Sequence, residues 1–145
     1  MKILFVCHAN VCRSFMAQEL CKKALPPAEV FSRGIYADPS VRVPEKVWRF
    51  LQANGIKKSA HTPAPLRRED LEQADFVFFM EQRHLDEWTD SYAQYSDKMW
   101  LLNDFAFGEE NDLPDPVLLE GRAFEKNARF LLTAVRAAAA KLASA

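Results

Sequence analysis

The sequence lacks both an excess of charge of either sign and any long apolar run. Nineteen Lys and Arg residues against twenty Asp and Glu residues leave a formal net charge of −1. This near balance excludes binding to nucleic acid through bulk positive charge, but it is compatible with a small, locally basic pocket. The apolar run at residues 2–7 is far shorter than the roughly 18 residues of a membrane span, and it does not form a secretory signal. We expect a soluble cytoplasmic protein that binds neither nucleic acid nor membrane.

Cysteine is scarce, and its three copies stand at positions 7, 12 and 21. An odd number of crowded cysteines argues against a disulfide framework and favours free thiols in a reducing compartment. A chain of 145 residues can bury its core without a disulfide or metal staple. The sequence predicts a single domain over residues 1–145, and we expect it to be a monomer.

Glycine is also scarce, with four copies, none of which lies within residues 7–14. The Walker A pattern and the dinucleotide-binding pattern both need glycines at fixed spacing, so neither is present in that segment. Cys7, His8 and Cys12 have no second pair of metal ligands downstream at the spacing of a metal site. We therefore expect no metal at this position and no cofactor.

The sequence does contain apolar runs that alternate with helical patterns. Residues 2–7 and 75–80 are continuous apolar runs typical of central parallel strands, and residues 30–32 and 99–102 are further strand candidates. Helical patterns cover residues 14–24, 44–53, 67–73, 81–88 and about 119–142. This order predicts an α/β fold with three layers, in which helices flank a parallel sheet and a ligand-binding loop follows the first strand.

The segment after the first predicted strand reads Cys7-His8-Ala9-Asn10-Val11-Cys12-Arg13-Ser14. A helix N-terminus offers unpaired backbone N–H groups and a positive dipole end, which together favour a phosphate-like anion. Arg13 would add a planar, permanently charged clamp for two phosphate oxygens. The same field favours the thiolate form of Cys7, and the Ser14 hydroxyl can donate to that sulfur. The segment therefore predicts an oxyanion loop with a nucleophilic sulfur at its base.

Attack of a thiolate on phosphorus requires a proton for the departing oxygen. The best candidate acids lie in the segment Asp112-Leu113-Pro114-Asp115-Pro116. Asp115 is preferred because Pro116 restricts its backbone, and Asp112 is the nearby competitor.

At these residues the chain resembles the low-molecular-weight protein tyrosine phosphatases, whose signature is C-x5-R-[ST] near the N-terminus followed by a late Asp-Pro. The resemblance implies a metal-free phosphomonoesterase with a four-stranded parallel sheet flanked by helices. It implies that Cys7 is the nucleophile, Arg13 the phosphate clamp, Ser14 the partner of the thiolate and Asp115 the general acid. A phosphorylated protein is then the expected substrate, and inorganic phosphate or a similar oxyanion should occupy the loop.

The resemblance also implies further site residues. Phosphate should lie within the whole loop, and Asn10 should hold its backbone together with Ser14, Ser32 and His61. Tyr36 and Val117 are expected to form the substrate wall. The residues expected to bind phosphate are Cys7, His8, Ala9, Asn10, Val11, Cys12, Arg13 and Ser14.

Four positions depart from the family pattern. Ala9 stands where glycine is usual before the loop asparagine, and Phe15 stands where proline commonly follows the loop serine. Val117 and Leu118 replace the aromatic residues that often follow Asp-Pro, so Tyr36 is the candidate for the aromatic wall.

Two branches of the family fit in different respects. Residues 32–40, SRGIYADPS, are similar to the bacterial protein arginine phosphatases, whereas Val11 is of the aliphatic type found in the tyrosine-specific branch. Arsenate reductases of this fold need two further cysteines downstream, and none follows Cys21. The sequence thus predicts a phosphotyrosine phosphatase, with a protein arginine phosphatase as the alternative.

The sequence leaves alternative interpretations for Cys12, for His8 and for the function as a whole. Cys12 could form a reversible disulfide with Cys7 that protects the nucleophile, or it could simply pack. His8 could contact substrate or be an idle surface imidazole. A phosphate-dependent binding module without turnover is the remaining non-catalytic alternative.

Overall fold

Four parallel strands form one sheet in the computed structural model, which describes residues 1–144. The sheet order is β2-β1-β3-β4, and the strands are β1 (Lys2–Cys7), β2 (Glu29–Gly34), β3 (Phe76–Phe79) and β4 (Met99–Leu101). The register of β1 pairs Cys7 with Gly34 on β2 and Val6 with Phe79 on β3. The central strand therefore ends at Cys7, between the carboxyl ends of its two neighbours, and the predicted four-stranded parallel sheet is confirmed.

Helices cover both faces of this sheet, because β1 is apolar on both sides. Ile3 and Phe5 belong to one core cluster, and Leu4 and Val6 belong to the other, with no more than 1% of any of these residues exposed. The side chains of a strand alternate between the two faces, so a continuous apolar run requires cover on each. Helices α1 (Arg13–Ala24), α2 (Glu45–Ala53), α5 (Leu102–Phe107) and α6 (Gly121–Ala143) supply the first cluster. Helix α3 (Arg68–Gln73) and the partly buried side chains of α4 (Gln82–Ser91) cover the other face.

Several boundaries differ from the sequence prediction. β2 extends beyond residues 30–32 because backbone pairing with β1 continues over six residues. The strand predicted at 99–102 ends at Leu101, and Leu102 instead begins α5, which is too short for a periodic pattern to reveal. The last helix begins at Gly121 rather than near 119, because Leu119 N–H donates to Pro116 O in a turn before it. A 3₁₀ helix at Ala93–Lys98 was not predicted.

No helix in the described part of the chain combines the length and the apolar character that crossing a membrane requires.

Gly34, the last residue of β2, lies directly against the loop that follows β1. A Cβ atom added there would lie 2.9 Å from Ala9 C, Asn10 N and His8 O, all of which are backbone atoms. Backbone cannot yield as a flexible side chain does, so the loop must shift if Gly34 gains a side chain. This close approach couples the sheet to the loop at residues 7–14.

We expect Gly34→Ala to lower the free energy of unfolding by about 1–3 kcal/mol, because it overpacks a backbone contact. It should also weaken the affinity for inorganic phosphate, since the displaced atoms belong to the predicted oxyanion loop. Urea unfolding and calorimetric phosphate titration measure the two effects. Gly108→Ala is the control for phosphate affinity, because a Cβ there meets no atom within 4 Å, whereas its φ of +71° strains alanine and lowers stability without touching the loop. Unchanged phosphate affinity in Gly34→Ala would contradict the coupling.

Candidate active site

Three donors of the loop converge on the sulfur of Cys7. The backbone N–H of Asn10 lies 3.3 Å from Cys7 Sγ, and that of Ser14 lies 3.4 Å away. The Ser14 hydroxyl lies 2.9 Å from the same sulfur. These contacts form at the N-terminus of α1, where the helix dipole is positive. The arrangement stabilises a sulfur anion at the bottom of a loop that can bind an oxyanion.

Asn10 holds this loop in an unusual backbone conformation. Its φ is +61°, and it is the only non-glycine residue with positive φ among residues 1–144. Its side-chain amide donates to Ser14 Oγ and Ser32 Oγ, each at 2.9 Å, and its Oδ1 accepts the Ala64 N–H at 3.1 Å. A left-handed conformation costs about 1–2 kcal/mol, which asparagine tolerates better than most residues. These hydrogen bonds offset that cost, and they direct the Asn10 N–H at Cys7.

His61 supports the same residue from the other side. Its Nε2 lies 2.8 Å from Asn10 O, and since a carbonyl only accepts, Nε2 carries the hydrogen. The imidazole stacks on Phe15 with ring centroids 4.1 Å apart, and the edge of Trp48 packs on Phe15 at 5.2 Å. Burial lowers the pKa of His61, although its hydrogen bond to Asn10 opposes that shift.

The structure thus brings together the four residues that the resemblance implied as a supporting network: Asn10, Ser14, Ser32 and His61. The contact between Phe15 and His61 was not anticipated. Its only sequence signal was the departure from proline at position 15.

Arg13 is 2% exposed, and two protein acceptors fix its guanidinium plane. Nη2 donates to Glu81 Oε2 at 2.8 Å, and Nη1 donates to Leu113 O at 2.8 Å. Glu81 was missed from the sequence, although it follows β3 closely and so lies at the edge where β1 ends. The orientation of the predicted phosphate clamp therefore depends on two distant segments of the chain.

Glu81 is partly buried beside this cation. Burial opposes ionisation of its carboxyl, but the hydrogen bond and the charge of Arg13, with help from His84 and Arg83, outweigh burial and lower the pKa of Glu81. The carboxylate therefore stays ionised and paired with Arg13. His84, 3.9 Å from Glu81 Oε2, is buried, and burial lowers the pKa of its imidazole.

The two candidate acids occupy different surroundings. Asp115 Oδ2 lies 3.6 Å from Arg13 Nη2, and its side chain is 44% exposed. Its Oδ1 accepts the Val117 N–H at 3.1 Å. Asp112 instead accepts the Gln82 N–H at 2.7 Å at the start of α4, where it satisfies an unpaired backbone donor of the helix. Asp115 is thus the carboxylate that faces the arginine of the loop.

The other two cysteines are buried free thiols. Burial, together with negative charge on Cys7 and Asp115, raises the pKa of Cys12 to about 12 against the opposing effects of Lys46 and Arg13. Burial also raises the pKa of Cys21 to about 11. Both therefore remain protonated at neutral pH. The disulfide of Cys12 with Cys7 stays a hypothesis.

The rim beside the loop carries exposed apolar and aromatic groups. Tyr36 is 66% exposed, and its ring packs against His8 at a centroid distance of 5.1 Å. Val117 and Leu118 are also exposed, whereas Val11 within the loop is buried. His8 contacts His84 on its other side, at 6.0 Å, and its Nδ1 is buried rather than free in solvent. The predicted wall residues Tyr36 and Val117 are therefore exposed to solvent.

Together the fold and the site define an α/β protein whose central strand ends in a cysteine-based oxyanion loop. A family model described as low molecular weight phosphotyrosine protein phosphatase matches residues 2–145. The chain belongs to this family.

Individual relatives differ in their named activity. A protein-arginine-phosphatase of Geobacillus stearothermophilus is 34% identical over 116 residues, which cover 79% of this chain and 78% of the relative. The low molecular weight protein-tyrosine-phosphatase PtpB of Staphylococcus epidermidis is 29% identical over 116 residues, covering 80% and 81%. The solved structure of the YwlE arginine phosphatase from Geobacillus stearothermophilus matches with a TM-score of 0.91 at 31% identity, covering 99% of this chain and 93% of that one.

We expect Glu81→Gln to lower the free energy of unfolding at pH 7 by about 1–3 kcal/mol, since it weakens a hydrogen bond between charged groups. Because folding lowers the pKa of Glu81, its contribution is present above its ordinary pKa near 4.5 and is lost as the pH falls through the folded value. The difference in the free energy of unfolding between the variant and the wild type should therefore become smaller at acid pH. Urea unfolding across this pH range measures it, with Glu87→Gln on the exposed face of α4 as the control. A difference independent of pH would contradict the ion pair.

Proposed function

We propose that this chain is a cysteine-dependent phosphomonoesterase that removes phosphate from protein phosphotyrosine through a cysteinyl-phosphate intermediate. The observation that carries the proposal is the convergence of the Asn10 N–H, the Ser14 N–H and the Ser14 hydroxyl on Cys7 Sγ. A buried structural thiol has no need of three donors, whereas a thiolate nucleophile does. We also infer a cytoplasmic location, where three cysteines in the thiol form are stable.

In the first step, the phosphate of the substrate binds to the backbone N–H groups of the loop and to the guanidinium of Arg13. The Cys7 thiolate attacks phosphorus, so a sulfur–phosphorus bond forms and the bond to the leaving oxygen breaks. Asp115 gives its proton to that oxygen, and the product leaves as a neutral phenol. Glu81 and Leu113 support this step because they hold the plane of Arg13.

In the second step, a water molecule attacks the phosphorus of cysteinyl-phosphate. The Asp115 carboxylate takes a proton from that water, and the sulfur–phosphorus bond breaks. The leaving thiolate is stabilised by the Ser14 hydroxyl at 2.9 Å. Inorganic phosphate then leaves, and both catalytic groups return to their starting protonation states.

The rim supports an aromatic substrate. The exposed ring of Tyr36 and the exposed side chains of Val117 and Leu118 offer apolar contact to a phenyl ring. Val11 has no hydroxyl, so it offers no hydrogen bond to a guanidinium group. These features favour phosphotyrosine as the substrate.

Phosphoarginine is the second candidate. Two relatives of this chain favour it, the protein-arginine-phosphatases from Geobacillus stearothermophilus and Bacillus subtilis, which are 34% and 32% identical to it. The same loop chemistry would break a phosphorus–nitrogen bond, and Asp115 would then protonate the departing guanidine nitrogen. The two candidates thus share Cys7 and Arg13 and differ in the contacts of the rim.

We expect wild-type protein to release phosphate faster from a phosphotyrosyl peptide than from a phosphoarginyl peptide of the same sequence. Cys7→Ser should abolish release from both peptides and retain affinity for inorganic phosphate, because the loop donors remain. Phosphate release and calorimetry measure the two properties. Faster release from phosphoarginine would assign the second candidate. Phosphate binding with no release by the wild type would indicate a binding module instead.

We expect Asp115→Asn to reduce kcat/KM far more for phenyl phosphate than for 4-nitrophenyl phosphate. Phenoxide is a strongly basic leaving group, with a conjugate acid of pKa near 10, and it needs the proton that asparagine cannot give; general acids contribute roughly 10²–10⁴-fold. Steady-state kinetics on both esters measures the selectivity. Asp112→Asn is the matched control and should lose stability at α4 without this selectivity. The reverse pattern would assign the acid to Asp112.

A further inference from the structure

Lys46, on α2, donates to three carbonyl oxygens of the segment that follows Asp115. Its Nζ lies 2.7 Å from Leu119 O, 2.8 Å from Val117 O and 3.3 Å from Pro116 O. The side chain is only 13% exposed. An ammonium group has three hydrogens and no acceptor, so one lysine can donate to all three carbonyl groups, of which Pro116 O also accepts the Leu119 N–H.

Two further groups lie near the ammonium, but they contribute less to its position. Glu120 Oε1 is 3.4 Å away, and that carboxylate side chain is 80% exposed, where ion pairs contribute little. The ring of Phe124 lies 5.2 Å from Nζ, within the range of a cation–π contact. The carbonyl hydrogen bonds are therefore the main contacts between Lys46 and this segment.

The segment held by Lys46 is continuous with the predicted acid. Asp115 Oδ1 accepts the Val117 N–H at 3.1 Å, so the carboxyl and residue 117 are joined by a hydrogen bond as well as by the chain. Pro116 between them fixes one backbone dihedral. On the other side, Asn127 donates to Pro114 O at 3.0 Å. A shift of residues 116–119 would therefore move the Asp115 carboxyl away from its place 3.6 Å from Arg13.

We propose that Lys46 is a positioning residue for the general acid: it holds residues 116–119 so that the Asp115 carboxyl faces the leaving group. The proposal rests on the role of Asp115 given above. It requires no contact between Lys46 and the substrate. It follows that Lys46 affects protonation of the leaving group and leaves phosphate binding by the loop intact.

The test compares Lys46→Met with wild type on phenyl phosphate and 4-nitrophenyl phosphate. Methionine keeps the apolar stem and removes the three hydrogen-bond donors. We expect kcat/KM for phenyl phosphate to fall about tenfold, and that for 4-nitrophenyl phosphate to fall less than about threefold, since misplacing a catalytic group costs up to about 10²-fold. The inhibition constant of inorganic phosphate should stay within about twofold of wild type.

Two further variants separate positioning from a merely structural role. Glu120→Gln removes the exposed ion pair and keeps the three carbonyl contacts, so it should match wild type on both esters. In the double variant Lys46→Met with Asp115→Asn, the lysine change should cause no further selective loss, because the acid through which it acts is already gone.

Equal losses on the two esters for Lys46→Met would overturn the proposal in favour of a structural role. A further selective loss in the Asp115→Asn background would also overturn it, since Lys46 would then act by another route. If Asp115→Asn is selective and Lys46→Met is not, only the proposal for Lys46 fails. If Asp115→Asn itself shows no selectivity, the assignment of the acid fails and the proposal fails with it.

Discussion

The left-handed backbone of Asn10 is the constraint on which the rest of the site depends. This conformation directs the Asn10 N–H at Cys7 Sγ, and an ordinary residue would resist it. It persists because Ser32, on β2, and His61 and Ala64, in the loop after α2, all form hydrogen bonds with Asn10. The site is therefore formed only when β2 and the loop of residues 61–64 have packed against the end of β1.

A second constraint is electrostatic. Arg13 is a buried cation, and a buried charge is costly unless it is paired. Glu81 supplies the opposite charge, and Leu113 O accepts a second hydrogen bond, so the guanidinium keeps one orientation. Residues 112–119, which include Asp115, are here called the acid-bearing segment. Because Leu113 N–H also donates to Met80 O, this segment is tied to the end of β3 as well as to Arg13. Stability and function thus rest on the same contacts.

The balance of charge also distinguishes the three cysteines. Cys7 has three donors around its sulfur, whereas Cys12 is buried with negative charge on Cys7 and Asp115 nearby, so its pKa rises to about 12. Two thiols five residues apart therefore have different surroundings because of the direction in which the loop turns. The acid-bearing segment has no regular structure of its own, and side chains from neighbouring helices, among them Lys46 and Asn127, satisfy its carbonyl groups.

The sequence by itself determined the parallel α/β sheet and the loop at residues 7–14, because a continuous apolar run and an anion-binding pattern are local properties of the chain. The sequence also indicated Asp115 as a candidate acid, because Pro116 restricts its backbone. Only the tertiary structure placed Asp115 beside Arg13 and Asp112 at the start of α4, since these contacts join segments distant in the chain. The contacts of Glu81, Lys46 and Phe15 were likewise invisible, because each joins segments distant in the chain, or a loop that leaves no periodic signal. Local patterns specify elements, whereas the partners of buried charges and loop carbonyls are specified by packing.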